Sequence, residues 1–490
     1  MMKIAFSTIL ISLLFFGAHA QKNKIEFEEY DLDNGMHVIL HKDHSTPIAA
    51  VSILYHVGSK NENPERTGFA HFFEHLMFEG SKNIERGEYS NYVEKNGGTL
   101  NAFTTQDQTF YFELLPSNNL ELGLWLESER LLHAKVDNVG IETQREVVKE
   151  ERRQRVENVP YGTLGQYAFE GQFKEHPYKW QPIGSMEHLN AAEEKDYVEF
   201  YQTFYVPANA TLVIAGDIDI KKTKQLVNKY FASIPKGQAI NLYRDFLDLS
   251  DADFKEKYGK DKSIFNQDDF FKTTSKEGKA MIAEYENKET IIPRPNVVEP
   301  PLTEEVRKTY RENVPLKAAI ITYRTPKQND KDTYALEMLN IILSQGSSSR
   351  IRKSIVEEKE LALEAQSFIW PLEDPGLMLF FGIANKDAEL DDIVNEIDAQ
   401  IEKVQTELVS EREFQKVKNQ LENQFVSSAS SISGISTSLA SYHVFYGDAN
   451  LINNQLSLYE SITREDLKRV ANKYLKKDAR SILYYLPQED

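Results

Sequence analysis

The sequence predicts an α+β protein built from two similar units. In the first part of the chain, apolar and β-branched stretches of strand length alternate with amphipathic stretches of helical length. A comparable succession begins again near Leu316, and segments of the two parts can be laid over one another by eye. With 490 residues, the chain is long enough for two or more domains.

Turn signals and hydrophobic spacing place the elements of the first unit. Its predicted strands are residues 35–41, 50–57, 99–105, 108–115 and 210–216. Its predicted helices are the motif-bearing stretch 68–78 and residues 114–135, 141–157, 190–205 and 220–234. The Gly- and aromatic-rich stretch 161–180 is predicted to be irregular. The second unit is predicted to contain a strand at 318–323, a helix at 332–343 and a Gly/Ser turn at 345–349.

The stretch 68–78 carries His71, Glu74 and His75 in the spacing His-x-x-Glu-His. On a helix the two histidines stand one turn apart on the same face, where they can bind one metal ion. The Glu beside the second His can take a proton from a metal-bound water. A catalytic zinc needs a third protein ligand, and the carboxylate-rich stretch 141–153 can provide one. The alternative is an ordinary amphipathic helix with two half-buried histidines.

This motif, followed by Glu151 in the sequence Val-Val-Lys-Glu-Glu, resembles the pitrilysin/insulinase (inverzincin) family of zinc metallopeptidases. The likeness is to its short two-domain bacterial type, similar to the mitochondrial processing peptidase beta subunit. The resemblance implies one Zn²⁺ per chain, held by His71, His75 and Glu151, with Glu74 as the general base. A shift of one residue in register would select Glu150 as the third ligand instead.

The resemblance also implies two homologous α/β-sandwich domains, a duplicated metallopeptidase domain with an active N-terminal half and an inactive C-terminal half. The sequence agrees, because on the alignment by eye the second half carries Glu337, Asn340 and Ile341 where the first carries the three motif residues. In the family, the segment with Asn101 and Ala102 lies on an edge strand, to which a peptide substrate adds as a further strand.

The function implied is a zinc-dependent endopeptidase that hydrolyses peptides or unstructured polypeptide segments in an exported compartment. The alternatives are a non-catalytic or partner-dependent subunit of a heteromeric peptidase assembly, and a metal-dependent hydrolase of a non-peptide bond.

Two departures from the family pattern bear on this function. Gln144 stands where the family often has a Glu that supports the metal ligands. Val356 and Leu363 fall where many members have an Arg and a Tyr that contact substrate and oxyanion. This loss favours a dimer, either a homodimer or a heterodimer whose partner subunit supplies the Arg/Tyr pair. In an alternative alignment, Arg350 or Arg352 takes that role.

Residues 1–20 combine Lys3, an apolar run and a small-residue end, a pattern that predicts a secretory signal peptide. The apolar run is too short to span a membrane. No other apolar stretch of the chain reaches the roughly 18 residues that a span requires. The absence of Cys excludes a disulfide framework, so we expect a periplasmic protein or, alternatively, a secreted one. A net charge of −19 argues against nucleic acid as a partner.

Four segments are predicted along the chain: the signal peptide 1–20, an N-terminal zinc-binding peptidase domain 21–235, an inserted linker 236–301, and a C-terminal inactive peptidase-like domain 302–490. The linker is rich in Asp, Lys and Phe and ends in Pro-containing pairs, which indicates a small helical element followed by an extended strap. A plain spacer and a loop over the substrate chamber are both compatible with it.

Overall fold

A computed structural model describes residues 24–428 and 431–488. The predicted signal peptide lies outside the described residues. None of the helices in the described part of the chain is both long and apolar enough to cross a membrane.

The described residues form eleven strands, which are β1 Glu28–Asp31, β2 His37–Lys42, β3 Ile48–Tyr55, β4 Thr99–Thr104, β5 Thr109–Pro116, β6 Ala210–Gly216, β7 Val306–Glu312, β8 Ala318–Arg324, β9 Ala362–Trp370, β10 Leu377–Ala384 and β11 Arg480–Pro487. They also form seventeen α-helices, which are α1 Phe69–Leu76, α2 Glu88–Lys95, α3 Leu120–His133, α4 Asn138–Arg152, α5 Leu164–Gln172, α6 Met186–Ala191, α7 Glu194–Phe204, α8 Ile220–Phe231, α9 Ala239–Asp248, α10 Asp251–Tyr258, α11 Lys276–Glu286, α12 Lys331–Ser344, α13 Leu390–Thr406, α14 Glu411–Ser428, α15 Ile432–Tyr446, α16 Leu451–Ser461 and α17 Arg464–Tyr474.

The strands make two sheets of the same topology. The first has the order β1-β2-β6-β3-β5-β4 and the second β7-β11-β8-β10-β9. Apart from the additional edge strand β1, the two orders match element for element. In both sheets one pair is parallel, β2 with β6 and β7 with β11, while the other pairs are antiparallel. The predicted duplication of an α+β domain is therefore confirmed.

Each domain contributes one helix that packs on the sheet of the other domain. Helix α5 packs on the second sheet, where Phe169 and Phe173 share a buried cluster with Leu483. Helix α15 packs on the first sheet, where Leu439 shares a buried cluster with Leu54. Strands in the middle of each sheet are buried on both faces for this reason, which explains their nearly continuous apolar sequence.

Helix α5 corrects the prediction that residues 161–180 are irregular. The helix was hidden because glycine is a poor helix former, and both Gly165 and Gly171 lie within it. At Gly171, a Cβ atom would stand 2.7 Å from the Oγ of Ser481 on β11. The glycine permits the close approach of helix and sheet, and that approach stabilises a helix whose local sequence is weak.

Other element boundaries also differ from the predictions. Residues 114–119 complete β5 and a short 3₁₀ turn, so α3 begins only at Leu120. The predicted helix 190–205 is divided into the end of α6 and all of α7. Among the strands without a predicted counterpart, β1 and β7 are short or polar edge strands with little apolar pattern. The second sheet therefore begins before Leu316.

Residues 236–301 contain three helices followed by an extended stretch. Helices α9, α10 and α11 pack on the N-terminal core through buried side chains that include Tyr243, Phe254 and Met281. The stretch after α11 is held at Glu299, whose carboxylate accepts hydrogen bonds from backbone N–H groups of residues 174–176 at 2.7–2.8 Å.

A buried ionic network joins the two domains near the turn after β4. The ammonium of Lys60 lies 2.9 Å from Asp107 and 3.3 Å from Asp374. The backbone N–H of Glu373 donates to Asp107 at 3.0 Å, and Tyr178 donates its hydroxyl to the same carboxylate at 2.6 Å. Charges buried in this way are tolerated because each has several partners, and the network fixes the domains relative to each other.

Candidate metal centre

Helix α1 carries His71, Glu74 and His75 and begins at a buried carboxyl cap. Its N-cap residue, Gly68, has a left-handed conformation (φ 98°) and no side chain to cap the helix. The carboxylate of Glu62 takes this role, accepting hydrogen bonds from the N–H groups of Gly68 and Ala70, both at 2.9 Å. A negative charge is favourable at a helix N-terminus, although burial raises the pKa of Glu62 to about 8.

The face of α1 that points away from His71 and His75 is aromatic and buried. Phe69, Phe72 and Phe73 are buried, and Phe69 stacks on Tyr197 of α7 with ring centroids 4.6 Å apart. Because side chains four residues apart share a helix face, this packing directs His71 and His75 away from the aromatic core.

Helix α4 brings the third candidate ligand to the same place. Arg145 and Arg152 anchor the helix by donating to the backbone carbonyls of Ala192 at 2.9 Å and Gly184 at 2.6 Å. With α4 held in this register, Glu151 faces α1.

The three predicted ligands converge. The Oε2 atom of Glu151 lies 3.4 Å from Nε2 of His71 and 3.0 Å from Nε2 of His75. All three donor atoms lie within 4.8 Å of one another. Glu150, the residue that a one-residue shift would select, is exposed and pairs with Arg153 at 3.1 Å.

The chemistry of these donors fits zinc. Two imidazole nitrogens and one carboxylate oxygen form the His₂Glu set found in catalytic zinc sites. Burial, together with His75, lowers the pKa of His71 to about 4, so its ring is neutral near pH 7. The hydrogen bond from His75 lowers the pKa of Glu151, which keeps that carboxylate ionised. Both groups therefore hold the protonation state that metal ligation requires.

Glu74 differs from Glu151 in its electrostatic environment. Burial raises its pKa, and a hydrogen bond from the Thr104 side chain and the proximity of His75 oppose the rise. A carboxylate with a raised pKa is a better proton acceptor at neutral pH, because its pKa lies nearer to the working pH.

The predicted substrate-binding residues lie on β4, the edge strand of the first sheet beside α1. Asn101 pairs with Phe112 and Ala102 with Tyr111 of β5. The N–H of Ala102 donates to the side-chain oxygen of Asn101 at 2.9 Å rather than to β5. This donor therefore points to the open edge of the sheet.

Gln144 donates its side-chain amide to the buried carboxylate of Glu79 and makes no hydrogen bond to the three candidate ligands among the described residues. In the second domain, α12 carries Glu337, whose carboxylate accepts a hydrogen bond from Tyr459, and Asn340, whose amide oxygen accepts one from Ser367 at 2.6 Å. Burial raises the pKa of Glu337 to about 7. These residues are satisfied by hydrogen bonds and belong to no metal-ligating cluster of the described residues.

The residues at the expected Arg/Tyr positions are apolar, and the two alternative arginines differ in their environment. Val356 packs against the second core, and Leu363 is 59% exposed on β9. Arg350 donates two hydrogen bonds to the carboxylate of Glu413, at 2.8 and 2.9 Å. Arg352 lines a hollow between α12 and β9.

Sequence reasoning missed three residues of this site. Arg155 lies 2.7 Å from the second oxygen of Glu151 and fixes that carboxylate. Its position four residues after Glu151 was a usable signal, since such pairs meet on a helix. Glu62 and Thr104 reach the site from a loop and from β4, and nothing in their local sequence indicates these contacts.

Comparisons with known proteins agree with the fold and the site. A family model described as insulinase (peptidase family M16) matches residues 37–175, and one described as peptidase M16 inactive domain matches residues 193–421. The chain is 29% identical to "Zinc protease PqqE" of Helicobacter pylori, over 99% of this chain and 98% of that protein.

Two further relatives point the same way. The beta subunit of the mitochondrial-processing peptidase of Saccharomyces cerevisiae is 27% identical over 42% of this chain and 45% of its own length. The crystal structure of a protease from Helicobacter pylori superposes with a TM-score of 0.80 at 27% identity, covering 95% of this chain and all of that one (100%).

Proposed function

The chain belongs to the insulinase family of peptidases, family M16, and on that premise we propose that it is a zinc-dependent endopeptidase acting on peptides or unstructured polypeptide segments. The observation that carries the proposal is the convergence of His71, His75 and Glu151, with Glu74 close enough to interact with His75 and Glu151. The leader pattern in residues 1–20 supports an exported site of action, in the periplasm or outside the cell.

The ligands proposed for one zinc ion are His71, His75 and Glu151. When bound, zinc supplies Lewis-acid activation of water and of a substrate carbonyl. The carboxylate of Glu74 takes the proton from the attacking water and returns it to the leaving amine. Arg155 holds the second oxygen of Glu151, so that the first remains directed at the histidines.

Strand β4 is proposed to bind the substrate backbone as an additional strand. Its free edge offers the N–H of Ala102, which Asn101 caps in the described structure. An incoming peptide carbonyl replaces the Asn101 oxygen on that donor. Recognition through main-chain hydrogen bonds accepts varied side chains, which suits unstructured substrates.

A second candidate function is that of a partner-dependent subunit in a dimer. Its support is that Val356 and Leu363 offer no hydrogen-bond donor for an oxyanion where many family members have an Arg and a Tyr. A homodimer that uses other donors and a heterodimer whose partner brings the pair are both compatible with this loss.

Cleavage of an unstructured peptide by the purified mature chain, with zinc analysis on the same sample, tests the proposal. We expect about one zinc ion at this site and measurable turnover. Glu74→Gln should keep the zinc and lose about 10²-fold or more in rate, the usual contribution of a general base. Glu65→Gln, at an exposed position nearby, is the matched control.

Hydrolysis retained in Glu74→Gln would refute the assigned base. Zinc bound without cleavage by the unmodified chain would instead favour the partner-dependent subunit.

A further inference from the structure

A second cluster of metal-ligating side chains lies at the opposite edge of the first sheet from β4. It consists of Glu29 on β1, His37 on β2 and His443 on α15. Their candidate donor atoms lie within 4.8 Å of one another, the same limit that the proposed zinc ligands meet. The cluster shares no residue or element with the proposed catalytic site. It joins the N-terminal sheet to α15, the helix of the C-terminal domain that packs on that sheet.

Strand pairing places the first two members on one face. Asp31 lies directly opposite His37 in the β1–β2 register, and Glu29 lies diagonally to His37 on the same face. The Nδ1 atom of His37 is 2.8 Å from the Asp31 carboxylate, which fixes the ring and occupies that nitrogen. A carboxylate on one ring nitrogen with the other left free is the arrangement of most metal-binding histidines.

The other nitrogen of His37 is buried and unsatisfied. Its side chain is only 13% exposed, and Nε2 has no hydrogen-bond partner among the described residues. The nearest carboxylate oxygen, from Glu29, lies 3.4 Å away. A buried polar atom without a partner costs free energy, and a cation shared with Glu29 would satisfy it.

The third donor comes from the docked helix. The ring of His443 lies parallel to that of His37, with centroids 3.5 Å apart and an interplanar angle of 5°. His443 continues the face of α15 on which Leu439 and Ala440 pack against the first sheet. Stacked rings hold their nitrogens side by side, so joint ligation requires the His443 ring to tilt out of the stack.

We propose that Glu29, His37 and His443 form a second metal site, for a divalent transition ion of the Zn²⁺ class, which fastens α15 to the β1–β2 edge. Two imidazoles and one carboxylate suit Zn²⁺ better than Mg²⁺ or Ca²⁺, which prefer oxygen ligands. Because Glu29 is 45% exposed, solvent completes the coordination, and the role is to strengthen the junction between domains.

The test is equilibrium dialysis of the full chain against Zn²⁺, followed by metal analysis. We expect about two zinc ions per chain. His443→Phe keeps an aromatic ring on His37 and should reduce the content to about one. His44→Phe is the matched control, since His44 is an exposed histidine with a single carboxylate partner, Asp217, at 2.5 Å, and it should keep about two.

The two sites are separated by a background variant. In His71→Ala/His75→Ala, about one zinc ion should remain, and adding His443→Phe should remove it. If the unmodified chain binds one ion that His443→Phe abolishes, the proposed catalytic site fails and this one stands. If zinc content is unchanged by His443→Phe, or if the unmodified chain binds a single ion that is lost in His71→Ala/His75→Ala, the proposal is overturned.

Thermal unfolding measures zinc binding at the second site independently, because it does not require His71→Ala/His75→Ala to be stable. In excess chelator, the unmodified chain and His443→Phe should unfold at the same temperature. Zinc should raise the midpoint of the unmodified chain by several degrees more than that of His443→Phe. An equal zinc response in both proteins would show that the histidine stack is only packing, and would overturn the proposal.

Discussion

Removal of the Glu62 carboxylate should destabilise the N-terminal domain more than loss of an ordinary helix cap. In Glu62→Ala, the N–H groups of Gly68 and Ala70 lose their acceptor in a buried setting. An unsatisfied buried group costs about 1–3 kcal/mol, so the two together cost about 2–6 kcal/mol. Substitution of a typical cap by Ala costs about 0.5–2 kcal/mol. Glu62→Gln keeps one acceptor oxygen and should fall between Glu62→Ala and the unmodified chain.

Urea and thermal unfolding, followed by tryptophan fluorescence, measure this loss. For a domain of roughly 150–250 residues, about 1 kcal/mol shifts the midpoint by about 2–4 °C, so Glu62→Ala should lower it by about 4 °C or more. Glu65→Ala, an exposed carboxylate three residues away, is the control and should leave it unchanged. Zinc affinity should weaken in Glu62→Ala, since α1 carries both histidines. An unfolding midpoint and zinc affinity equal to those of Glu65→Ala would refute the capping role.

Three further predictions concern the ligands and the domain junction. Glu151→Gln should lose the zinc ion held by His71 and His75, while Glu150→Gln keeps it; zinc loss of similar size in both would refute the chosen register. Because the pKa of His71 is lowered to about 4 in the folded chain, unfolding of the metal-free protein takes up a proton at this residue between about pH 6.5 and 4. His71 should therefore contribute a fall of about 3 kcal/mol in the free energy of unfolding across that range in urea titrations. His71→Phe should reduce the pH dependence by that amount, while His443, whose pKa is also lowered to about 4, keeps its own contribution. Gly171→Ala should destabilise the chain by about 1–3 kcal/mol through contact with β11. Gly165→Ala should not, because its Cβ would meet only the side-chain oxygen of Gln181 at an ordinary contact distance of 3.5 Å. Equal unfolding midpoints of the two variants would contradict the close approach of α5 to β11.

The parts of this protein that could be predicted from sequence are those that depend on local spacing. His71 and His75 are one turn apart whatever the rest of the fold does, so the face they share could be predicted from the motif alone. Central strands such as β3 are almost entirely apolar and were predicted within a few residues of their observed ends. The family resemblance selected Glu151, whose approach to the histidines depends on how α4 is anchored far from the motif.

The parts that escaped prediction depend on contacts between distant residues. Helix α5 has a weak local sequence and gains its stability from a sheet more than a hundred residues away in the chain. Glu62 reaches the N-terminus of α1 from a loop, and the spacing between Glu62 and the helix follows no helix or strand period. His37 and His443 come from opposite ends of the chain, and only the docking of α15 brings their rings together. No periodicity within a short window contains this information.

The exchange of helices between domains explains why a domain without metal ligands is retained. The face of the first sheet that carries Ile39, Leu54 and Val213 is covered by α15, which belongs to the C-terminal domain. Without that helix the face would be an apolar surface open to water, and such surfaces favour aggregation. The second sheet depends on α5 in the same way. Among the described residues, helix α12 carries no metal ligands, yet both exchanged helices are in place, so the C-terminal domain covers the N-terminal sheet without having a metal site of its own.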